Sequence, residues 1–154
     1  MTPRRADPGD AATLARLNAH LQGWHAEHYP GTFHPHPDPK ALTAHFAARL
    51  ADPAVTAFLA GDPPVGYALC SLQEREASIF SPAIRRLMID HIAVAPEARR
   101  QGHGKALLVA ARTLARKLRV DEILLDTWEG NDAAHAFFRA EGFFPRRMLF
   151  RATP

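Results

Sequence analysis

Ile92-Ala93-Val94-Ala95-Pro96-Glu97-Ala98-Arg99-Arg100-Gln101-Gly102-His103-Gly104-Lys105-Ala106-Leu107-Leu108 is the stretch that decides the reading of this 154-residue chain. A strand runs to Val94, a turn containing Pro96 follows, and two glycines stand where an amphipathic helix begins. The start of a helix offers unpaired backbone N–H groups and the positive end of its dipole, which together favour a phosphate. Glycine at 102 and 104 removes the Cβ atoms that would hold a diphosphate away from those amides. Arg99, Arg100 and Lys105 add positive charge at the same point. These are the parts of a phosphate cradle, although Gly-x-Gly alone also serves close helix packing. A nucleotide P-loop is excluded, because Ala106 follows Gly104-Lys105 where Ser or Thr is required. A dinucleotide fingerprint is excluded as well, since its third glycine falls on Leu107.

Outward from this stretch the periodicity alternates between strand and helix. Arg85 to Val94 reads as a strand, and residues 102–119 as a helix whose buried stripe is Leu107, Ala111, Leu114 and Leu118. Asp121 to Trp128 contains the continuous apolar run Ile123-Leu124-Leu125, the mark of a strand buried on both faces. Asn131 to Glu141 is a helix closed by Gly142 in a left-handed cap, with Phe143 packing back. A closing strand is predicted over Phe143 to Arg151. Upstream, Ala54–Ala60 and Val65–Leu72 form a hairpin around Gly61-Asp62-Pro63-Pro64. Arg4-Arg5 reads as an edge strand, with Asp10 as a cap for a helix carrying Leu14, Leu17, Leu21 and Trp24. The proline-rich loop 33–39 separates that helix from a second one, begun at Asp38-Pro39 and running to Ala51. The order β-α-α-β-β-β-α-β-α-β, without repeats, predicts one α/β (mixed α+β) domain over residues 1–154.

Composition narrows the function. Hydrophobic residues are 47% of the chain and charged ones 23%, which suits a folded domain and not a disordered one. One cysteine, Cys70, excludes an intrachain disulfide and a multi-cysteine zinc site. No apolar run approaches the roughly 18 residues of a membrane span, and the start shows no leader pattern, so a cytoplasmic protein is expected. Charge is uneven: residues 1–84 carry 6 Lys/Arg against 8 Asp/Glu, and residues 85–154 carry 13 against 8. A basic half calls for an anionic partner, either a phosphorylated small molecule or a polymer. With no recognisable nucleic-acid module, a basic nucleic-acid-binding domain is the weakest reading.

Arg99-x-x-Gly102-x-Gly104 behind Ile92-Ala93-Val94-x-Pro96-Glu97 resembles the acyl-CoA diphosphate motif of the GCN5-related N-acetyltransferase (GNAT) superfamily. Asn131-x-x-Ala134-x-x-Phe137-Phe138-x-x-x-Gly142-Phe143 is similar to that family's closing motif. The resemblance spans about residues 84–143. It implies a mostly antiparallel sheet splayed between its fourth and fifth strands, with helices on both faces and acceptor-shaping helices at about 10–51. It also implies acetyl-CoA as co-substrate, no metal, and direct attack by a primary amine in a ternary complex. Pantetheine would pair with Ile92, Ala93 and Val94, and the diphosphate would lie on Arg99, Arg100, Gln101, Gly102, His103, Gly104 and Lys105. Asn131 would contact pantetheine, or simply cap its helix. Neither nucleic acid nor a membrane is expected as a partner, and a homodimer is possible on the family pattern.

Attack by an amine needs its neutral form, so a base should face the gap. Asp90 is the candidate base or amine anchor, with His91 as the alternative and a structural or salt-bridge role as the third; Met88 shares the face of Asp90 and His91 points oppositely by strict alternation, an assignment a bulge would swap. A backbone N–H near Ile92 would meet the negative charge that develops on the thioester oxygen. The family's tyrosine acid falls on Phe138. That departure leaves His135, on the same helical face, as a substitute acid, and it motivates a second reading, a non-catalytic acyl-CoA sensor. Trp24, His25, His28, Tyr29 and Phe33 would line the acceptor pocket, or else form a surface aromatic cluster. Glu74 could attract a cationic amine, and Trp128 either lines the gap or caps the core. No histidine spacing resembles a metal site.

Overall fold

The computed structural model describes residues 2–154. Five strands form one sheet in the order β1 (Arg4–Arg5), β2 (Val55–Ala60), β3 (Gly66–Arg75), β4 (Ile84–Val94), β5 (Ile123–Leu125). The first four pair antiparallel and β5 joins β4 in parallel. Helices α1 (Ala11–His28) and α2 (Pro39–Ala51) cover one face, and α3 (His103–Lys117) and α4 (Asp132–Ala140) cover the other. The mixed α/β architecture and the element order agree with the periodicity of the sequence up to residue 142.

Local chemistry sets the boundaries. Asp38 accepts the Ala41 N–H at 2.7 Å and Pro39 opens α2 without an N–H to lose. Asp10 does not cap α1 with its side chain, contrary to expectation. Its carboxylate is taken by the Arg4 guanidinium at 2.6 and 2.7 Å and by the Asp7 N–H at 2.9 Å. Arg4 lies on β1 and reaches Asp10 first. At the other end of the chain, Gly142 adopts φ +85° beyond α4, and the Phe143 N–H returns to the Phe138 carbonyl at 2.9 Å.

Two cores result. Leu14, Leu17, Phe46, Leu59, Tyr67 and Leu69 fill the α1/α2 side. Cys70, Leu87, Ile89, Leu108, Ala111 and Phe138 fill the α3/α4 side. Burial holds the Cys70 thiol up, to about 12.

The predicted closing strand does not form. Residues 143–154 have no regular structure, and Phe144, Met148, Leu149 and Phe150 are exposed. An alternating pattern needs an edge to pair with, and β5 offers only three residues. Pro145 removes one donor besides. Arg146 does reach back to pair with Glu122, just before β5.

Candidate functional site

β4 is eleven residues long and pairs with β3 from end to end except at Asp90, but β5 meets it only at Leu87, Met88 and Ile89. From Asp90 to Val94 the second edge of β4 has no strand partner among the described residues. The splay implied between the fourth and fifth strands is therefore present. It exposes backbone that a ligand can pair with as an added strand. The open edge leads straight into the turn 95–102 and the start of α3, where Gly102 adopts φ +86°. A Cβ on Gly102 would meet nothing within 4 Å, so it would project into open space at the start of α3. A Cβ on Gly104 would stand 3.1 Å from the Phe137 ring, which brings α4 against the same helix start. The residues present fit an extended ligand ending in a diphosphate.

The side chains around this cradle are disposed unequally. Arg99 turns its Nε to the Val94 carbonyl at 3.3 Å, and Gln101 donates to the Glu97 carbonyl at 3.1 Å. Arg100 holds φ +60° and is exposed. His103 is buried, and its Nδ1 has no partner. Lys105, together with Gly102, lines a cavity of about 560 Å³ with Arg5, Phe58, Val109 and Lys117. This cavity is a second groove, between α3 and β1–β2.

Between Leu69 and Cys70 the β3–β4 register shifts, so Leu69 faces His91 while Cys70 faces Ile89 and Asp90 is the extra residue. The bulge overrides strict alternation. His91 does not point away from Asp90: both side chains turn to the α1/α2 face. Asp90 meets Arg49 of α2 at 2.6 Å, and His91 packs edge-on to Phe46 and Tyr67. The His91 Nδ1 lies 3.2 Å from the Tyr67 hydroxyl, which accepts the Asn18 amide N–H at 2.8 Å. Burial draws the His91 pKa down to about 4 against the opposing pull of Asp90. Arg49, Asn18 and Tyr67 were missed by motif reading. A polar Asn18 one turn after Leu14, on the buried stripe of α1, was the available signal.

The aromatic residues at the end of α1 and in the following loop do come together as a cluster. Trp24 stacks on His28 at 4.1 Å, His25 stacks on Phe33 at 4.6 Å, and Tyr29 and Phe33 pack against Trp128 at 4.4 and 5.2 Å. Burial lowers the His25 pKa. The Tyr29 hydroxyl accepts the Gly130 N–H at 3.0 Å, tying the end of α1 to the loop after β5. Trp128 therefore joins this wall.

Other predicted residues lie elsewhere. Glu74 pairs with Arg85 at 2.8 Å near the outer end of the β3–β4 hairpin, five residues and roughly 17 Å of strand from Asp90. Phe138 is packed in the α3/α4 core beside Phe137 and Phe143. The His135 Nε2–H donates to the Trp128 carbonyl at 3.0 Å. Asn131 accepts the Ala134 N–H at 3.2 Å, the capping role. Among the described residues no group of three or more His, Cys, Asp or Glu could hold a metal ion. No helix is long and apolar enough to cross a membrane.

The sequence pattern of the acetyltransferase (GNAT) family matches residues 19–143. The chain belongs to this family. That places it among proteins of acetyl transfer from acetyl-CoA, as the diphosphate motif implied. Among solved structures, a tetramutant of the BH1408 protein from Bacillus halodurans superimposes with TM-score 0.90 at 20% identity, with 100% of each chain covered. A protein from Arthrobacter sp. FB24 assigned as an acetyltransferase matches with TM-score 0.74 at 28% identity, covering 100% of this chain and 96% of that one. The aminoglycoside acetyltransferase AAC(6')-Iy, bound to a bisubstrate analogue of CoA and acetylneamine, matches with TM-score 0.75 at 21% identity, covering 99% and 97%. No curated protein matches the sequence. In this GNAT member the tyrosine position of the closing motif is occupied by a phenylalanine turned into the core.

Proposed function

We propose that the chain is an N-acetyltransferase that brings acetyl-CoA and a primary amine together at the opening between β4 and β5. The observation that carries this reading is the free edge of β4 from Asp90 to Val94, running directly into the two-glycine start of α3. Ile92, Ala93 and Val94 offer main-chain donors and acceptors to the pantetheine arm, and the amides from Gly102 to Lys105 receive the diphosphate. The thioester supplies the acyl group as an electrophile.

The chain's own residues then divide the work. Asp90 gives one carboxylate oxygen to Arg49, which holds the side chain in place, while Oδ1 stays open to anchor the acceptor ammonium and take its proton. Backbone N–H groups beside Ile92 face charge that develops on the acyl oxygen, which needs no side-chain chemistry. Phe138 carries no acidic proton for the departing sulfur, and the His135 Nε2–H is engaged by the Trp128 carbonyl. The sulfur's proton comes from solvent, and a thiol of ordinary pKa about 8.5 can depart as thiolate.

Two measurements test the reading. A ligand that binds only the folded state raises Tm, so millimolar acetyl-CoA should shift the melting curve upward. Free thiol released across a panel of amines then separates an enzyme from a sensor. A thermal shift without turnover on any amine would favour the acyl-CoA sensor; absence of both would end the CoA reading.

A further inference from the structure

The Asn18–Tyr67–His91 chain has a direction. Tyr67 is completely buried, and its hydroxyl has two neighbours, the Asn18 amide N–H at 2.8 Å and the His91 Nδ1 at 3.2 Å. The oxygen accepts from Asn18, so its single proton is left for Nδ1, and a buried hydroxyl that donates to nothing would be costly. Nδ1 is then the bare nitrogen of the imidazole. In the neutral ring the proton must sit on Nε2. Asp90, Arg49, His45 and His25 are the charged and titratable groups facing this ring. Burial outweighs Asp90 and keeps the ring neutral at pH 7.

The Nε2–H has no hydrogen-bond partner among the described residues. His103 Nδ1 is the one fully sealed side-chain nitrogen or oxygen without a partner among the described residues, so His91 Nε2 is not sealed within the protein. Its neighbours are Asp90 on the same bulge and the α1/α2 wall. We infer that His91 is a specificity-determining residue, an Nε2–H donor fixed in that tautomer by Tyr67 and Asn18, which binds an oxygen atom of the acyl acceptor. This rests on the acetyltransferase reading above. The reacting nitrogen is not the partner, because a donor on its lone pair would quench the nucleophile. The acceptor is thereby narrowed to amines that carry a hydroxyl or carbonyl oxygen near the amino group, such as amino alcohols, amino acids or their amides.

A neutral donor and a base make opposite demands on the ring, and this separates them by experiment. In the ¹⁵N-labelled full chain at pH 7, His91 should show a protonated Nε2 and an unprotonated Nδ1, and Tyr67→Phe should abolish that preference. An Nδ1–H tautomer in the wild type would overturn the proposal whatever the activity. For the best oxygen-bearing amine of the panel, His91→Ala should raise KM roughly tenfold, the worth of one lost hydrogen bond, with kcat changed far less. His91→Gln, which restores an N–H at a similar reach, should recover most of that loss. The loss should be smaller for a matched amine without the oxygen. Equal losses for both amines, a fall confined to kcat, or Gln no better than Ala would overturn it. A wild-type chain that releases thiol with no amine overturns the acetyltransferase reading itself, and this proposal with it.

Discussion

Gly102 and Gly142 form a matched pair on which the cradle can be tested. Both adopt a left-handed backbone, φ +86° and +85°, and at both a Cβ would meet nothing within 4 Å. Alanine at either site therefore pays only for the conformation, about 1–2 kcal/mol, which for a chain of this size lowers Tm by about 2–8 °C. The two differ in position: Gly102 stands before the open amides of α3, whereas Gly142 ends α4 on the chain's return. The expected result is similar destabilisation of Gly102→Ala and Gly142→Ala without ligand, with divergent responses to CoA. A Cβ at the start of α3 should weaken CoA by at least about tenfold, so at a fixed concentration the stabilisation falls by about 1.4 kcal/mol. Gly142→Ala should keep the full response. Differential scanning fluorimetry over a CoA titration reads both quantities at once. A Gly102→Ala variant with an undiminished CoA response would refute the placement of the diphosphate.

Three further outcomes are expected. Phe138→Tyr should restore the family residue without raising activity, because its ring is packed in the core; a hydroxyl there costs about 1–3 kcal/mol, read as a lower Tm with kcat no higher than wild type. Asp10, held below its usual carboxylate range chiefly by the Arg4 hydrogen bond, contributes stability that is present above its ordinary pKa near 3.8 and lost as pH falls through the lowered value. Asp10→Asn should therefore be less stable at neutral pH and show a flatter acid limb in urea melts between about pH 4 and 2. Cys70, fully buried and held largely as the thiol, should react with a thiol reagent only in denaturant; rapid modification of the folded chain would mean that β3 is not sealed by α3 and α4.

The strand-turn-helix at 92–108 was legible because glycine spacing, charge and the change of period all lie within one short segment. The aromatic wall was legible for a similar reason: Trp24, His25, His28 and Tyr29 share one helical end, and Phe33 follows in the adjoining loop. The bulge was not. One inserted residue on β4 leaves no mark in composition, yet it moves His91 to the Asp90 face and brings it against Tyr67. Arg49 and Asn18 escaped notice because their partners lie 41 and 49 residues away, and pairing at that range follows from how α1 and α2 lie on the sheet. Phe143–Arg151 erred in the opposite direction, since its strand pattern lacks a long edge to join. Phe138 shows a further limit. Its motif position pointed toward the ligand, while its side chain chose the core.

The claim that matters most is that the acyl donor enters between β4 and β5. A crystal structure of the full chain with CoA tests it directly. Pantetheine should run along the Asp90–Val94 edge with the diphosphate against the amides of residues 102–105. CoA lying instead in the groove between α3 and β2, against Phe58 and Val109 with the β4 edge left open, would contradict the account.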